Sequence, residues 1–174
     1  MTIPIRPATP ADVPAITRIY ANAVEHGTAS FELEPPDEAE MARRMEALLA
    51  GGFPYLAADV DGGLVGYAYA GPYRARPAYR WTVEDSVYID PQAHNRGIGR
   101  ALLAALIEEA QARGYRQMLA VIGDSPKQAP SIRLHEAHGF ARVGLLPNVG
   151  FKFGRWLDTL LMQRTLGKGA TAEP

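Results

Sequence analysis

Hydrophobic and polar positions follow two rhythms along this chain, and the changes from one to the other mark its elements. TIPIRPAT reads as a short opening strand. TPADVPAITRIYANAVEH reads as a helix: Thr9 is placed to cap it, Pro10 to take its first position and Asp12 to close a capping box. Ile16, Ile19, Tyr20 and Ala23 then recur on one face. PPDEAEMARRMEALLAGG predicts a second helix, opened by Asp37 with Glu40 three residues on and stopped by Gly51 and Gly52. YLAADV and LVGYAYAG flank Asp61-Gly62-Gly63, a hairpin signal, and RWTVEDSVYID is the longest strand expected.

Beyond residue 90 the same reading continues. Ile98, Leu102, Leu106 and Ala110 form a helical stripe that Gly114 can terminate. RQMLAVIG predicts a strand, PSIRLHEAHG a helix ending at Gly139, FARVGLL a strand, and RWLDTLLMQRTL the strand that closes the sheet. The order βααβββαβαββ implies an α/β domain over residues 1–166, with helices on both faces of a mixed sheet, and GKGATAEP (167–174) a flexible tail. His26, near the end of the first helix, reads as a cap.

Composition then removes whole classes of function. The chain has 174 residues, no cysteine and a net charge of −1, so thiolate catalysis, disulfides and zinc-thiolate sites are excluded, and neutralisation of nucleic-acid phosphates is disfavoured. The N-terminal MTIPIRPATPADV lacks a basic segment followed by an apolar run, and no window is apolar enough to span a bilayer, so a cytoplasmic protein is expected.

One loop carries chemistry. In AHNRGIGRALL, two glycines and two arginines stand at the mouth of a helix, where glycine costs stability and positive charge is disfavoured by the helix dipole. An anion accounts for both: outward N–H groups at the helix start grip phosphate oxygens, glycine lets them approach, and Arg96 and Arg100 add charge. The bland alternative is a plain strand-to-helix turn with solvated arginines. No Gly-Lys-Ser/Thr is present for a nucleotide P-loop, and Leu102 stands where a dinucleotide fingerprint needs Gly or Ala.

The strand before that loop supplies a candidate base. Two adjacent carboxylates in one strand are candidates for proton transfer. Trp81, Val83, Asp85, Val87 and Ile89 share one face of RWTVEDSVYI, and Thr82, Glu84, Ser86 and Tyr88 share the other. Covering both faces of the strand buries at least one of the two carboxylates, and burial raises a carboxyl pKa toward a useful range. The alternative for Glu84 is an ion pair with an arginine such as Arg80. Arg74 and Arg76, in GPYRARPAYRW, are suited to a bidentate grip on a carboxylate or are plain solvated loop residues. His135 and His138 lie three apart on a helix, but without nearby carboxylates or thiolates they predict no metal site.

VYIDPQAHNRGIGRALL resembles the acetyl-CoA segment of the GNAT superfamily of N-acetyltransferases, with Gly97 and Gly99 matching its pattern and His94 replacing the usual Gln or Arg. YRWTVEDSVYI, SIRLHEAHGF and GFKFGRWLDTLLMQ together resemble its phosphinothricin and methionine sulfone/sulfoximine acetyltransferase subfamily. The resemblance implies the GNAT fold, mixed and mostly antiparallel. It implies acetyl-CoA as co-substrate, held by backbone groups of Val87, Tyr88 and Ile89 and by a pyrophosphate loop of Asn95, Arg96, Gly97, Ile98, Gly99 and Arg100. Ser131 fits a further cofactor contact, and Gln128 stands where the family has Asn. It also implies Glu84 as catalytic base, with His135 where many relatives carry a general-acid tyrosine. Substrate contacts fall on Arg74, Ala75, Arg76, Glu84, Asp85 and Ser86. Phe31 lies in the loop that covers the acceptor pocket, where it acts as cover or as an anchor of the loop. Acetyl would pass directly to a small amino-acid-like amine, with a backbone N–H at a bulge in the strand stabilising the oxyanion. The family's homodimers put the NVGFKFGRWLD segment at a subunit contact. The rival readings are acetylation of protein N-termini or polyamines, and a non-catalytic acyl-CoA sensor.

Overall fold

A computed structural model describes residues 3–174, so Thr2 of the first strand segment lies outside the described residues. The order of elements is the one expected: β1 (Ile5–Pro7), α1 (Val13–His26), α2 (Glu38–Ala50), β2 (Tyr55–Val60), β3 (Gly63–Pro72), β4 (Thr82–Ile89), α3 (Ile98–Ala112), β5 (Gln117–Gly123), α4 (Ala129–Ala137), β6 (Ala141–Lys152) and β7 (Arg155–Thr165). The strands form a seven-stranded sheet ordered β1-β2-β3-β4-β5-β7-β6, in which every neighbouring pair is antiparallel except β4 and β5.

Local signals place the helix ends. The Asp12 carboxylate accepts from the Thr9 backbone N–H at 2.7 Å, and Asp37 accepts from the Glu40 N–H at 2.8 Å. Burial on α1 falls on Ile16, Ile19, Tyr20 and Val24, so Val24 takes the last inward position in place of the expected Ala23. At the end of α1, His26 Nδ1 lies 3.3 Å from the Asn22 carbonyl oxygen.

Two strand expectations need correction. The longest strand is β6, at 12 residues, while β4 has 8. FARVGLL is only the start of β6, which continues through Pro147 and Asn148 to a tight turn at Phe153-Gly154 and pairs with β7 on both sides of the irregular stretch between Leu146 and Gly150. The expected bulge is also absent from β4, whose register with β3 is regular from Gly66↔Ile89 to Pro72↔Val83; register shifts lie at Ala58/Asp59 and within β6.

The sheet separates two apolar layers. Leu102, Leu103 and Leu106 of α3 and Ile132 of α4 pack with Val83, Met118 and Leu160 on one face. Ile16 and Ile19 of α1 and Met41 and Met45 of α2 pack with Tyr55 and Tyr67 on the other. Each such side chain, fully buried, stabilises the fold by roughly 1.5–3 kcal/mol. Tyr67 stacks on Tyr88 at 5.4 Å between centroids, and Tyr20 of α1 meets Tyr88 edge-on at 5.1 Å.

Candidate active site

The site begins where two strands part. β4 and β5 pair in parallel only as far as Glu84↔Leu119. Beyond that point Asp85 to Ile89 pair with β3 alone, and Ala120 to Gly123 pair with β7 alone. The facing edges of both strands therefore present backbone N–H and C=O groups to an open wedge. Val87, Tyr88 and Ile89 line its β4 side.

The wedge leads to the start of α3. Asn95 and Gly97 adopt left-handed backbone, φ 62° and 80°, and Gly97 caps the helix. The two glycines serve different ends. Gly97 supplies the positive φ, whereas a Cβ on Gly99 would stand 3.3 Å from Leu134 Cδ2, so Gly99 lets α3 and α4 pack closely. The N–H groups of the first turn, Ile98 to Arg100, are the orphan donors of any helix start. Arg96 and Arg100 are exposed beside them, and Arg96 lies 3.7 Å from the exposed Asp61 in a pairing worth little in water. Asp90 fixes the approach: it accepts from the Gln92 N–H at 3.0 Å and pairs with Arg18 at 2.6 Å, and that guanidinium holds its pKa below the ordinary value. His94 Nε2 stands 3.3 Å from the Ile89 carbonyl oxygen. These donors and this charge fit the pyrophosphate of a CoA thioester.

Glu84 and Asp85 face opposite ways, as their alternation requires. Glu84 is half-buried on the α1/α2 face, opposite Gly71 of β3 and Leu119 of β5. Neither neighbour offers a charge, and no ion pair to Glu84 is found among the described residues. Arg80, its suggested partner, instead lies over the Trp81 ring at 5.1 Å. Burial, reinforced by the charge of Asp85, raises the Glu84 pKa above its ordinary 4.5.

Asp85 is buried on the α3/α4 face and meets His135 Nε2 at 3.1 Å through Oδ1, while its Oδ2 has no partner among the described residues. His135, 3 % exposed, places Nδ1 2.7 Å from the Ser131 carbonyl oxygen and packs edge-on against Phe140. A carbonyl only accepts, so Nδ1 carries a hydrogen, and Nε2 faces Asp85 Oδ1. Burial alone would depress the His135 pKa, but the hydrogen bond and charge of Asp85 outweigh it and raise the value above 6.5. Nε2 thus fastens α4 to β4, while Nδ1 anchors the ring to its own helix.

Residues that share a face with Glu84 trace a strip of sheet that we read as a groove. Parallel pairing with Leu119 puts Leu119, Val121 and Gly123 on that face, running roughly 13 Å along β5. Val121 is exposed there although it belongs to a central strand. Phe31 closes the far end, its ring lodged against Gly123 and Gly150. Ser86 also lies on this face. Arg74, Ala75 and Arg76 are exposed on the β3–β4 connection, with Arg74 above the rings of Tyr73 and Tyr79 at 5.1 and 5.6 Å. Ser131 is half-buried with Oγ 3.5 Å from His135 Nδ1. Gln128 turns elsewhere: its amide reaches toward Thr28 Oγ1 at 3.5 Å, and Thr28 donates to Asp124 at 2.7 Å.

The GNAT acetyltransferase domain model matches residues 5–161. The chain belongs to the GNAT acetyltransferases. It is 55% identical over 163 residues to a phosphinothricin N-acetyltransferase of Alcaligenes faecalis, covering 94% of this chain and 82% of that one. It is 41% identical over 169 residues to the L-methionine sulfoximine/L-methionine sulfone acetyltransferase of Salmonella typhimurium, covering 97% and 98%. A GNAT phosphinothricin acetyltransferase from Sinorhizobium meliloti, solved with AcCoA, superposes with a TM-score of 0.96 at 49% identity, covering 100% of this chain and 94% of that one. In this GNAT enzyme a wedge, a glycine-containing helix start and a desolvated carboxylate are assembled around one strand, β4.

Sequence reasoning missed three parts of this site. Lys152 is buried with Nζ 2.8 Å from the Ser30 carbonyl oxygen. Arg155 pairs with the buried Asp124, one contact at 3.0 Å. Gly123 and Gly150 form the slot for Phe31. For Lys152 the chain gave no signal: in GFKF the apolar alternation points the two phenylalanines inward and the lysine out, the reverse of what is found.

Proposed function

We propose that this enzyme transfers the acetyl group of acetyl-CoA to the α-amino group of a small amino acid or analogue, phosphinothricin, methionine sulfone and methionine sulfoximine being the acceptors to try first. The observation that carries the reading is Glu84: a half-buried carboxylate without a counter-charge, placed where β4 and β5 separate. Its raised pKa suits it to take the ammonium proton, directly or through a water, at a pH where it is still ionised. CoA supplies the activated acetyl group. The open backbone edge of Val87 to Ile89 is suited to the pantetheine amides and the acetyl carbonyl, and the Asn95–Arg100 loop to the pyrophosphate. Arg74 and Arg76 hold the acceptor carboxylate, and Phe31 bounds its side chain. With no cysteine in the chain, transfer passes directly between the two bound substrates. His135 acts by holding α4 and Ser131 against β4.

The enzyme works as a homodimer in the cytoplasm on this reading. The support for the dimer is β6, an edge strand whose Leu145, Leu146, Val149 and Phe151, with Phe153 of the following turn and Trp156 of β7, are large apolar side chains left exposed. Long apolar edges of this kind are normally covered. No helix among the described residues is long and apolar enough to cross a membrane.

The test is CoA release from acetyl-CoA with each of the three amino-acid analogues and with spermidine. Turnover is expected on the amino acids and not on spermidine. Turnover on spermidine alone would move the acceptor class to polyamines, and tight acetyl-CoA binding with no turnover would favour the sensor reading.

A further inference from the structure

Hydropathy is inverted at the end of β6. Phe151 and Phe153 are 56 % and 58 % exposed, while Lys152 between them is 3 % exposed. Burying an ammonium is among the costlier choices a sequence can make. Desolvation pushes the Lys152 pKa down, and the Glu32 charge partly restores it. In return Nζ donates to the Ser30 carbonyl at 2.8 Å and lies 5.0 Å from the Phe153 ring centroid. Ser30 immediately precedes Phe31.

The Phe31 ring occupies a slot that two glycines create. A Cβ added to Gly123 or to Gly150 would collide with ring carbons of Phe31. Neither glycine has positive φ, so backbone conformation does not demand them; the ring does. The strand register places Gly123, Gly150 and Lys152 on the Glu84 face, since Gly123 pairs with Thr159, Gly150 with Leu157 and Lys152 with Arg155. The segment around Phe31 is held at other points as well: Tyr20 bonds Ser30 Oγ at 2.9 Å and Glu32 at 2.8 Å, Arg44 bonds Glu32 at 2.6 Å, and Thr28 bonds Asp124 at 2.7 Å. What Lys152 and the glycines add is the depth of the ring, because they act on Phe31 and its preceding carbonyl from the groove's own strands.

We propose that Lys152, with the Gly123–Gly150 slot, sets the length of acceptor that the enzyme accepts, by fixing Phe31 as the end wall of the groove that starts at Glu84. Lys152 is then a positioning residue acting through Phe31. This rests on the reading of that groove as the acceptor site. A wall held at one depth rejects a side chain longer by one methylene, a difference a packed pocket converts into roughly 10–200-fold in kcat/KM. Releasing the wall should erase most of that ratio.

The experiment compares L-methionine sulfone with ethionine sulfone, one methylene longer, in wild type, Lys152→Met and Gly150→Ala. Lys152→Met keeps the stem and removes the donor; Gly150→Ala moves the ring without touching the lysine. Both variants should lower the preference for the shorter acceptor about tenfold, through acceptor KM, with the KM for acetyl-CoA unchanged. Hydrogen exchange of amides 28–32 should quicken in both. An unchanged preference, or parallel changes in both substrates' KM values with a fall in Tm, would overturn the proposal and leave Lys152 a plain structural residue. Absence of wild-type turnover on both sulfones would instead overturn the acceptor reading. The exchange rates would then still decide whether Lys152 holds the loop: unchanged protection in Lys152→Met refutes the tether, and faster exchange upholds it.

Discussion

Glu84 and Asp85 are adjacent acidic residues on one strand, and the two faces of the sheet treat them in opposite ways. Asp85 is the more deeply buried, yet its charge is matched by His135 at 3.1 Å. Glu84 is less buried and faces a glycine, a leucine and a line of tyrosines. Burial alone therefore does not make a base. A buried carboxylate with a partner fastens two elements together, whereas one without a partner is held in an unfavourable charge state that accepting a proton relieves. The same contrast separates the two glycines of the α3 loop, one needed for its backbone conformation and the other for close helix packing.

Replacing each acid by its amide breaks the comparison most directly. Glu84→Gln should lower kcat by roughly 10²–10⁴-fold, the usual contribution of a positioned general base, in a CoA-release assay. Asp85→Asn should act mainly on stability, losing about 2 kcal/mol from a hydrogen bond to a charged group. For a chain of this size that corresponds to a fall in Tm of roughly 4–8 °C, checked by calorimetry. The same change at position 84 should leave Tm equal or slightly higher. Because the Glu84 pKa is raised in the folded state, ionisation costs stability as pH climbs from 4.5 through the folded value, and a neutral amide avoids that cost. For His135 the sign is reversed in pH: its raised pKa contributes stability that is full below about 6.5 and is lost as pH rises through the folded value.

Much of the fold was legible because its signals are local. Caps at Thr9 and Asp37, the Asp61-Gly62-Gly63 turn and the stripe from Ile98 to Ala110 each lie within a few residues of what they specify. The extension of β6 was not legible, since Pro147 and an Asn148 with φ 56° read as a loop, and it is the resumption of pairing with β7 at Gly150 that carries the strand past them. At the site, the period of two was enough to separate Glu84 from Asp85. It could not say which would find a partner, because His135 lies 50 positions away. Lys152 and the glycine slot were missed for the same reason: Ser30 is 122 residues from Lys152, and only the assembled sheet brings them together.

The central claim is that Glu84 takes the proton from the acceptor amine, and the pH dependence of kcat/KM for wild type and Glu84→Gln tests it most directly. The account predicts an acid limb in wild type, with activity falling below a pKa that lies above 4.5, and the loss of that limb together with most of the rate in the variant. The same limb in both proteins, at comparable rates, would contradict it and place the base elsewhere.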